Sequence, residues 1–151
     1  MFDPASFIDQ EIVGENSTFT VPVPVGDYMA IAEKVDVRQW TGKQDTTKSG
    51  LTLEVFWSID DQGVKDMLGR DKVTVKQGIM LDLTEEGGLD MGKGKNVGLG
   101  KLRAALDLNN AGQAFSFNQI PGRMARVKVE HRPNDTNPES PYAEVKMVAK
   151  A

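Results

Sequence analysis

The segment between residues 92 and 101 contains four glycines and three lysines, a composition typical of loops that bind phosphate. A Walker loop needs a glycine five residues before its last glycine, where this chain has Lys95, and a hydroxyl side chain after its lysine, where it has Leu102. The dinucleotide-binding fingerprint also fails, because Arg103 stands in place of its third glycine. We therefore interpret the segment as a basic loop leading into a helix, whose amides and lysines could hold a phosphate of a polymer.

The acids, the histidine and the serines do not form a catalytic pattern. The paired acids at 60–61 and 85–86 are adjacent in turns, so their carboxylates diverge into solvent rather than flank a substrate. His131, the only histidine, shares the parity of Val129, which favours a partly buried imidazole over a general base. No serine has the glycines of a nucleophile elbow, and the lack of cysteine excludes thiol nucleophiles and Cys-based zinc sites. The sequence therefore predicts a non-catalytic protein without a metal or cofactor.

Cations interleaved with aromatic rings recur on the outward parity of the predicted strands and in one polar loop. Cations neutralise phosphates and release counterions, while flat rings stack on bases whatever their sequence. This pattern favours a face that binds single-stranded nucleic acid. The alternative is a solvated strand face, with the two rings packed in a second small core or beneath the N-terminal arm. The candidate binding residues are Lys34, Arg38, Trp40, Lys43, Lys48, Phe56, Lys76, Arg126, Lys128 and Arg132.

Alternating apolar and polar residues predict the strands that must position these side chains. Five such strands are expected, over residues 27–40, 51–59, 73–83, 125–132 and 142–148. In the first, Met29, Ile31, Val35 and Val37 share the inward parity, and Glu33 on that parity indicates a bulge. Between the third and fourth strands, Asn96 can cap a helix with an apolar face of Leu99, Leu102 and Leu106.

The order of three strands, one helix and two strands is that of the OB-fold. We therefore predict an all-β domain over residues 27–151, a five-stranded antiparallel OB-fold barrel, preceded by an extended N-terminal arm over residues 1–26. An open two-sheet sandwich is the alternative, and Gly78 favours the barrel because a long third strand must bend there. The polar loops at 41–50 and 133–141 would then border an oligonucleotide groove.

Composition fits one ordinary domain whose charge is unevenly distributed. The chain has 151 residues, 39% of them hydrophobic, and a net charge of -4. Residues 1–36 hold seven acids and one lysine, whereas residues 91–132 hold eight bases and two acids, so the acidic total does not exclude a nucleic-acid partner. No apolar run approaches the roughly 20 residues of a membrane helix, and no secretory signal is recognisable. We therefore expect a cytoplasmic protein with no membrane partner.

Five short motifs resemble those of the small single-stranded DNA-binding proteins of bacteriophage replication modules, over residues 24–150. They are Pro24-Val25-Gly26-Asp27-Tyr28, the run Leu51-Thr52-Leu53-Glu54-Val55-Phe56 after a Lys/Thr/Gly loop, the leucine helix at 99–108, Pro121-Gly122-Arg123, and Tyr142. The resemblance implies sequence-independent coating of single-stranded DNA in phage replication, recombination or repair, in the host cytoplasm and beside other replication proteins. It also implies stacking by Trp40 and Phe56 and phosphate contacts by Lys34, Arg38, Lys43 and Lys76.

The N-terminal arm departs from this resemblance. Many such proteins end in an acidic tail, whereas this chain ends in Met147-Val148-Ala149-Lys150-Ala151 and carries its acids in the arm. We hypothesise that the arm replaces that tail or exchanges between subunits of a homo-oligomer. The competing function is that of a structural virion protein, a capsid-decorating or tail-associated β-barrel, since such proteins also lack catalytic residues and carry extended arms.

Overall fold

The computed structural model describes residues 3–151, so the first two residues of the predicted arm lie outside the described residues. The prediction of a mostly β chain with five strands in one sheet is confirmed, whereas the chain has a few short helices in place of the single one expected. Within the described range, no helix combines the length and apolar composition needed to cross a membrane. In chain order the elements are α1 (Pro4–Phe7), β1 (Gly26–Thr41), β2 (Ser49–Ile59), α2 (Gln62–Leu68), β3 (Thr74–Met80), α3 (Val97–Ala105), a 3-10 turn (Phe117–Gln119), β4 (Met124–Arg132) and β5 (Tyr142–Lys150).

The last strand in the order of the sheet, β4, pairs with the first strand, β1. Antiparallel pairing joins β1 to β2, β2 to β3, β1 to β4 and β4 to β5. The strands β3 and β5 are parallel and pair through Lys76 and Glu144, which completes the order β1-β2-β3-β5-β4. The expectation of an entirely antiparallel sheet is wrong at this contact. A closed ring of five strands cannot alternate direction throughout, because five is odd, so one neighbouring pair must be parallel.

A bulge in β1 reverses which residues face the interior. The pairing register with β2 shifts at Glu33, as the sequence predicted. Before the bulge the even-numbered Ala30 and Ala32 are fully buried, while Met29 and Ile31 lie on the outer side. Beyond the bulge the even-numbered residues face outward instead. The expectation that Met29 and Ile31 face the core is therefore wrong, because one extra residue moves a period-2 pattern to the opposite face.

The core fills the inside of the closed sheet and is covered at one end by α3. As predicted, Leu99, Leu102 and Leu106 of this helix region are buried. Trp57 is fully buried, and its indole N–H donates to the side-chain oxygen of Gln77 at 2.9 Å, which satisfies its one polar atom. The largest fully buried side chains are those of Trp57, Leu53, Ile59, Leu102, Ile120, Val55, Val73, Val127 and Val129.

Part of the N-terminal arm is fixed to the body beside the β4–β5 connection. The backbone N–H of Thr20 donates to the hydroxyl of Ser140 at 2.9 Å. The imidazole Nε2 of His131 lies 2.7 Å from the carbonyl oxygen of Val23, whose side chain is buried. His131 is more exposed than expected because it bonds to the arm rather than to the core. Residues 9–17, by contrast, are exposed and form no helix or strand.

Candidate nucleic-acid interface

Lys34, Phe56 and Lys76 form a row across the outer surface of β1, β2 and β3. Lys34 pairs with Phe56 across β1 and β2, and Phe56 pairs with Lys76 across β2 and β3. The Lys34 Nζ lies 4.5 Å from the centroid of the Phe56 ring, within the range of a cation–π interaction. The half-buried ring therefore lies between Lys34 and Lys76 in the register of the three strands. We call this surface the β1–β3 face and define it by Lys34, Arg38, Trp40, Phe56 and Lys76.

Trp40 lies on the same face, at the end next to the β1–β2 loop. It pairs with Gly50 of β2, and a Cβ built on Gly50 would come within 2.7 Å of the indole Nε1. The indole ring is therefore in direct contact with the backbone of Gly50, where only glycine leaves enough space. Because Trp40 is half-buried, β2 covers part of the ring and the rest is accessible. A fixed, partly exposed ring can stack on a base with little loss of side-chain freedom.

The two rings lie apart along β2. Gly50, which contacts the Trp40 ring, and Phe56 are six residues apart, which corresponds to about 20 Å of strand. The outward residues between them are Thr52 and Glu54, and Glu54 pairs with Gly78 of β3.

Glu54 lies beneath two cations of the β1–β3 face and was missed by the sequence analysis. It is only 6% exposed, and its carboxylate is 2.7 Å from the Lys76 Nζ and 3.9 Å from the Arg38 Nε. The hydrogen bond from Lys76 holds the pKa of Glu54 below its ordinary value, against the opposing effect of burial. Glu54 therefore remains ionised, positions both cations and neutralises part of their charge. The sequence did show an acid on the outward parity of β2. Its contact with Lys76, however, depends on the register between β2 and β3, which the sequence does not give.

The β1–β2 loop, residues 42–48, is shorter and more compact than expected. The strands extend into the predicted loop, and the N–H of Gly42 donates to the carbonyl of Lys48 at 2.8 Å. The N–H of Lys48 in turn donates to the carbonyl of Asp45 at 3.1 Å. Lys43 and Lys48 are exposed in this loop, at the end of the face that carries Trp40.

Arg126 and Lys128 do not belong to the β1–β3 face. They are exposed on β4, opposite Met29 and Asp27 of β1, where β1 has not yet reached its bulge. Lys128 also forms an ion pair with Glu130 at 3.6 Å. The predicted cations thus divide between two surfaces, because β4 pairs with only the first part of β1.

Arg132 lies at the border of the β1–β3 face. Its guanidinium is 4.9 Å from the centroid of the Tyr142 ring, and its Nε is 3.5 Å from the Glu144 carboxylate. Glu144 pairs with Lys76 across β3 and β5, so these residues continue the row from Lys34 through Phe56. The exposed Tyr142 therefore adds a third ring, beside the β4–β5 connection.

The side chain of Asn96 fixes the basic loop before α3 through hydrogen bonds to Asp82 and Asp90. Asn96 was expected to cap α3 with its side chain, but that side chain makes no cap hydrogen bond to the helix. Instead its Oδ1 accepts from the N–H of Asp82 at 2.8 Å, and its Nδ2 donates to the carbonyls of Asp82 and Asp90 at 2.9 and 3.0 Å. Asn96 adopts a left-handed conformation that permits these contacts. The side chain therefore holds the glycine-rich segment against the end of β3.

Two observations concern the acidic side chains of the described residues. Across residues 3–151, no group of three or more His, Asp or Glu side chains is arranged to hold a metal ion. Asp61, one of the paired acids at 60–61, accepts the N–H of Val64 at 2.9 Å and caps the start of α2. The sequence matches no protein-family model, and the search of curated proteins finds no match.

Proposed function

We propose that this protein binds single-stranded DNA without sequence preference and without catalysis, on the outer β1–β3 face of an OB-fold barrel. The strand order β1-β2-β3-β5-β4, the parallel β3–β5 contact and a helix between β3 and β4 support the OB-fold assignment. A role in phage replication, recombination or repair extends this proposal through the resemblance described above.

The observation that carries the proposal is the position of the two rings. Phe56 and Trp40 lie on the outer surface rather than in the core, whereas Trp57 is the buried tryptophan. Lys34 lies against one ring, and the loop lysines lie near the other. A base stacked on an aromatic side chain contributes about 1–3 kcal/mol, which exceeds the 0–1 kcal/mol typical of an exposed ion pair. Stacking on the rings therefore adds to the phosphate contacts of this face whatever the base sequence.

The charges of the face predict a moderate salt dependence. The face and its loop provide five cations, but Glu54 is bonded to Lys76 and lies close to Arg38. Five phosphate contacts on a single strand would give a slope of about −3.5 in a plot of log K against log salt, and three contacts about −2. We therefore expect a slope between these two values.

The experiment is a titration with oligo-dT at several salt concentrations, followed by tryptophan fluorescence. Since Trp57 is buried, quenching should come from Trp40, and Trp40→Phe should abolish the signal while anisotropy of labelled oligo-dT still reports binding. Oligo-U under the same conditions compares RNA with DNA. Absence of binding even at low salt would contradict the proposal.

The second candidate, a structural virion protein, is favoured by one observation. The N-terminal arm exposes several apolar side chains, which is typical of segments that contact other subunits. A virion component should form assemblies and show no salt-dependent binding of oligo-dT, so the same titration distinguishes the two functions.

A further inference from the structure

A groove opens where β3 and β5 separate. The two strands pair at Lys76 and Glu144, and the described chain shows no later pair between them, although β3 continues to Met80 and β5 to Lys150. The space between them, closed on one side by α3, has a volume of about 460 Å³. The strand pair therefore ends in a gap.

The part of β3 beyond Lys76 faces this gap and has no paired residue on β5 in the described chain. The N–H of Ile59 donates to the carbonyl of Val73, and the N–H of Leu81 donates to the carbonyl of Leu51. Since hydrogen-bonded pairs alternate along an antiparallel ladder, the odd-numbered residues of β3 bond to β2. The N–H and C=O groups of Gly78 therefore point toward the groove. An open edge of this kind can accept an extended segment as an additional strand.

The side chains around the groove are apolar and basic. Met80 and Met147 are 66% and 60% exposed, and their flexible thioethers can adapt to an apolar partner. Lys101 and Lys146 are exposed cations that line the same groove and form no ion pair in the described chain. Glu144, the acid of the lining, is already paired with Arg132. The groove thus favours an extended segment that carries apolar and acidic side chains.

The exposed part of the N-terminal arm has this composition. In an extended conformation, Ile8 and Ile12 lie on one face, and Asp9 and Glu11 lie on the other. Ile8 is 88% exposed and Val13 is 98% exposed, so these apolar residues are not covered by their own chain. The segment contains no basic residue, and none occurs before Lys34.

We infer that residues 8–13 of one copy bind in the β3–β5 groove of a second copy, as an added strand along the edge at Gly78. The isoleucines pack against Met80 and Met147, and the acids approach Lys101 and Lys146. Reciprocal exchange of the two arms gives a closed dimer, because each copy provides one segment and one groove. The arm is fixed to its own body at Thr20, and residues 8–13 do not line the groove of their own chain. The inference does not depend on DNA binding.

The first test is the mass of the protein in solution without nucleic acid. Wild type should be a dimer that dissociates on dilution, and Ile8→Asp/Ile12→Asp should be a monomer at all concentrations. Because both residues are exposed, these substitutions should not affect folding, which circular dichroism verifies. The matched control, Met67→Asp on the exposed surface of α2, should remain a dimer. A monomeric wild type at every concentration would overturn the inference.

The second test identifies the groove. Since the chain lacks cysteine, two single variants, Ile12→Cys and a size-tagged Met80→Cys, can be mixed and oxidised. A mixed disulfide of combined mass is expected, and Met67→Cys in place of Met80→Cys should not give one. A third variant carries both Ile12→Cys and Met80→Cys in one chain. If this variant forms only an internal disulfide and the mixed single variants form none, the arm occupies its own groove and exchange is excluded.

Discussion

Removal of the Phe56 ring should weaken DNA binding much more than it weakens the fold. The ring is half-buried on the outer surface, where it contacts the Lys34 amine at 4.5 Å, so Phe56→Ala removes a stacking surface without opening a core cavity. Loss of one stacked base costs about 1–3 kcal/mol, which corresponds to about a 5- to 150-fold increase in Kd. The cost to stability should lie below the 3–5 kcal/mol typical of a fully buried phenylalanine.

The assay is fluorescence anisotropy of labelled oligo-dT, with the folded fraction of each variant measured by thermal denaturation. Phe115→Ala is a matched control, because that ring is also half-buried and contacts a cation, Arg103, at 4.3 Å, away from the β1–β3 face. Phe56→Leu separates stacking from packing, since leucine keeps most of the apolar contact but has no ring. An unchanged Kd for folded Phe56→Ala, or an equal loss in Phe115→Ala, would refute the stacking role.

Three other variants test two residues that support the β1–β3 face and the exclusion of β4 from it. Glu54→Gln should increase oligo-dT affinity several-fold and steepen the salt slope, because Lys76 and Arg38 lose a neutralising partner. Calorimetry at several salt concentrations measures both the affinity and the slope. A decrease in affinity would contradict this role of Glu54. Because the pKa of Glu54 is lower in the folded protein than its ordinary value of 4.5, the ionised carboxylate stabilises the fold at pH values above 4.5. Wild type should therefore lose more stability than Glu54→Gln as the pH falls below 4.5. Gly50→Ala should displace the Trp40 ring, shift its fluorescence and weaken binding, whereas an unaltered emission spectrum would show that the ring does not need the glycine. Arg126→Ala/Lys128→Ala should change Kd less than twofold, and a loss as large as that of Phe56→Ala would place the DNA on β4.

The sequence predicted all five strands because apolar and polar residues alternate along each, apart from the interruption at Glu33 in β1. The third strand was expected to reach residue 83 but ends at Met80. The sequence analysis missed α2, since the acids and glycine at 60–63 are typical of a turn as well as of the beginning of a helix. Asp61 caps this helix, and Gly69, with a φ of 66°, ends it. The sequence also located the bulge at Glu33 but not its effect on the preceding residues, because parity alone does not show which side of a bulge faces the core.

The candidate site was predicted less completely, because its geometry depends on pairing between distant strands. Outward parity correctly placed Lys34, Phe56 and Lys76 on the surface, and the register then brought them into one row. Parity could not show that the cations of β4 lie on another surface, since that depends on which part of β1 each neighbour contacts. The burial of Glu54 beneath Lys76 could not be predicted from parity either, because it depends on the register between β2 and β3.

The central claim is that single-stranded DNA lies along the outer face of β1, β2 and β3. Nuclear magnetic resonance of the 15N-labelled protein, titrated with oligo-dT, tests this most directly through its two indole N–H signals. We expect the Trp40 signal and the amides around Phe56 to shift on binding. The signal of Trp57, whose indole N–H is bonded to Gln77 in the core, should not shift. Shifts confined to β4, or no shift at Trp40, would contradict this binding mode.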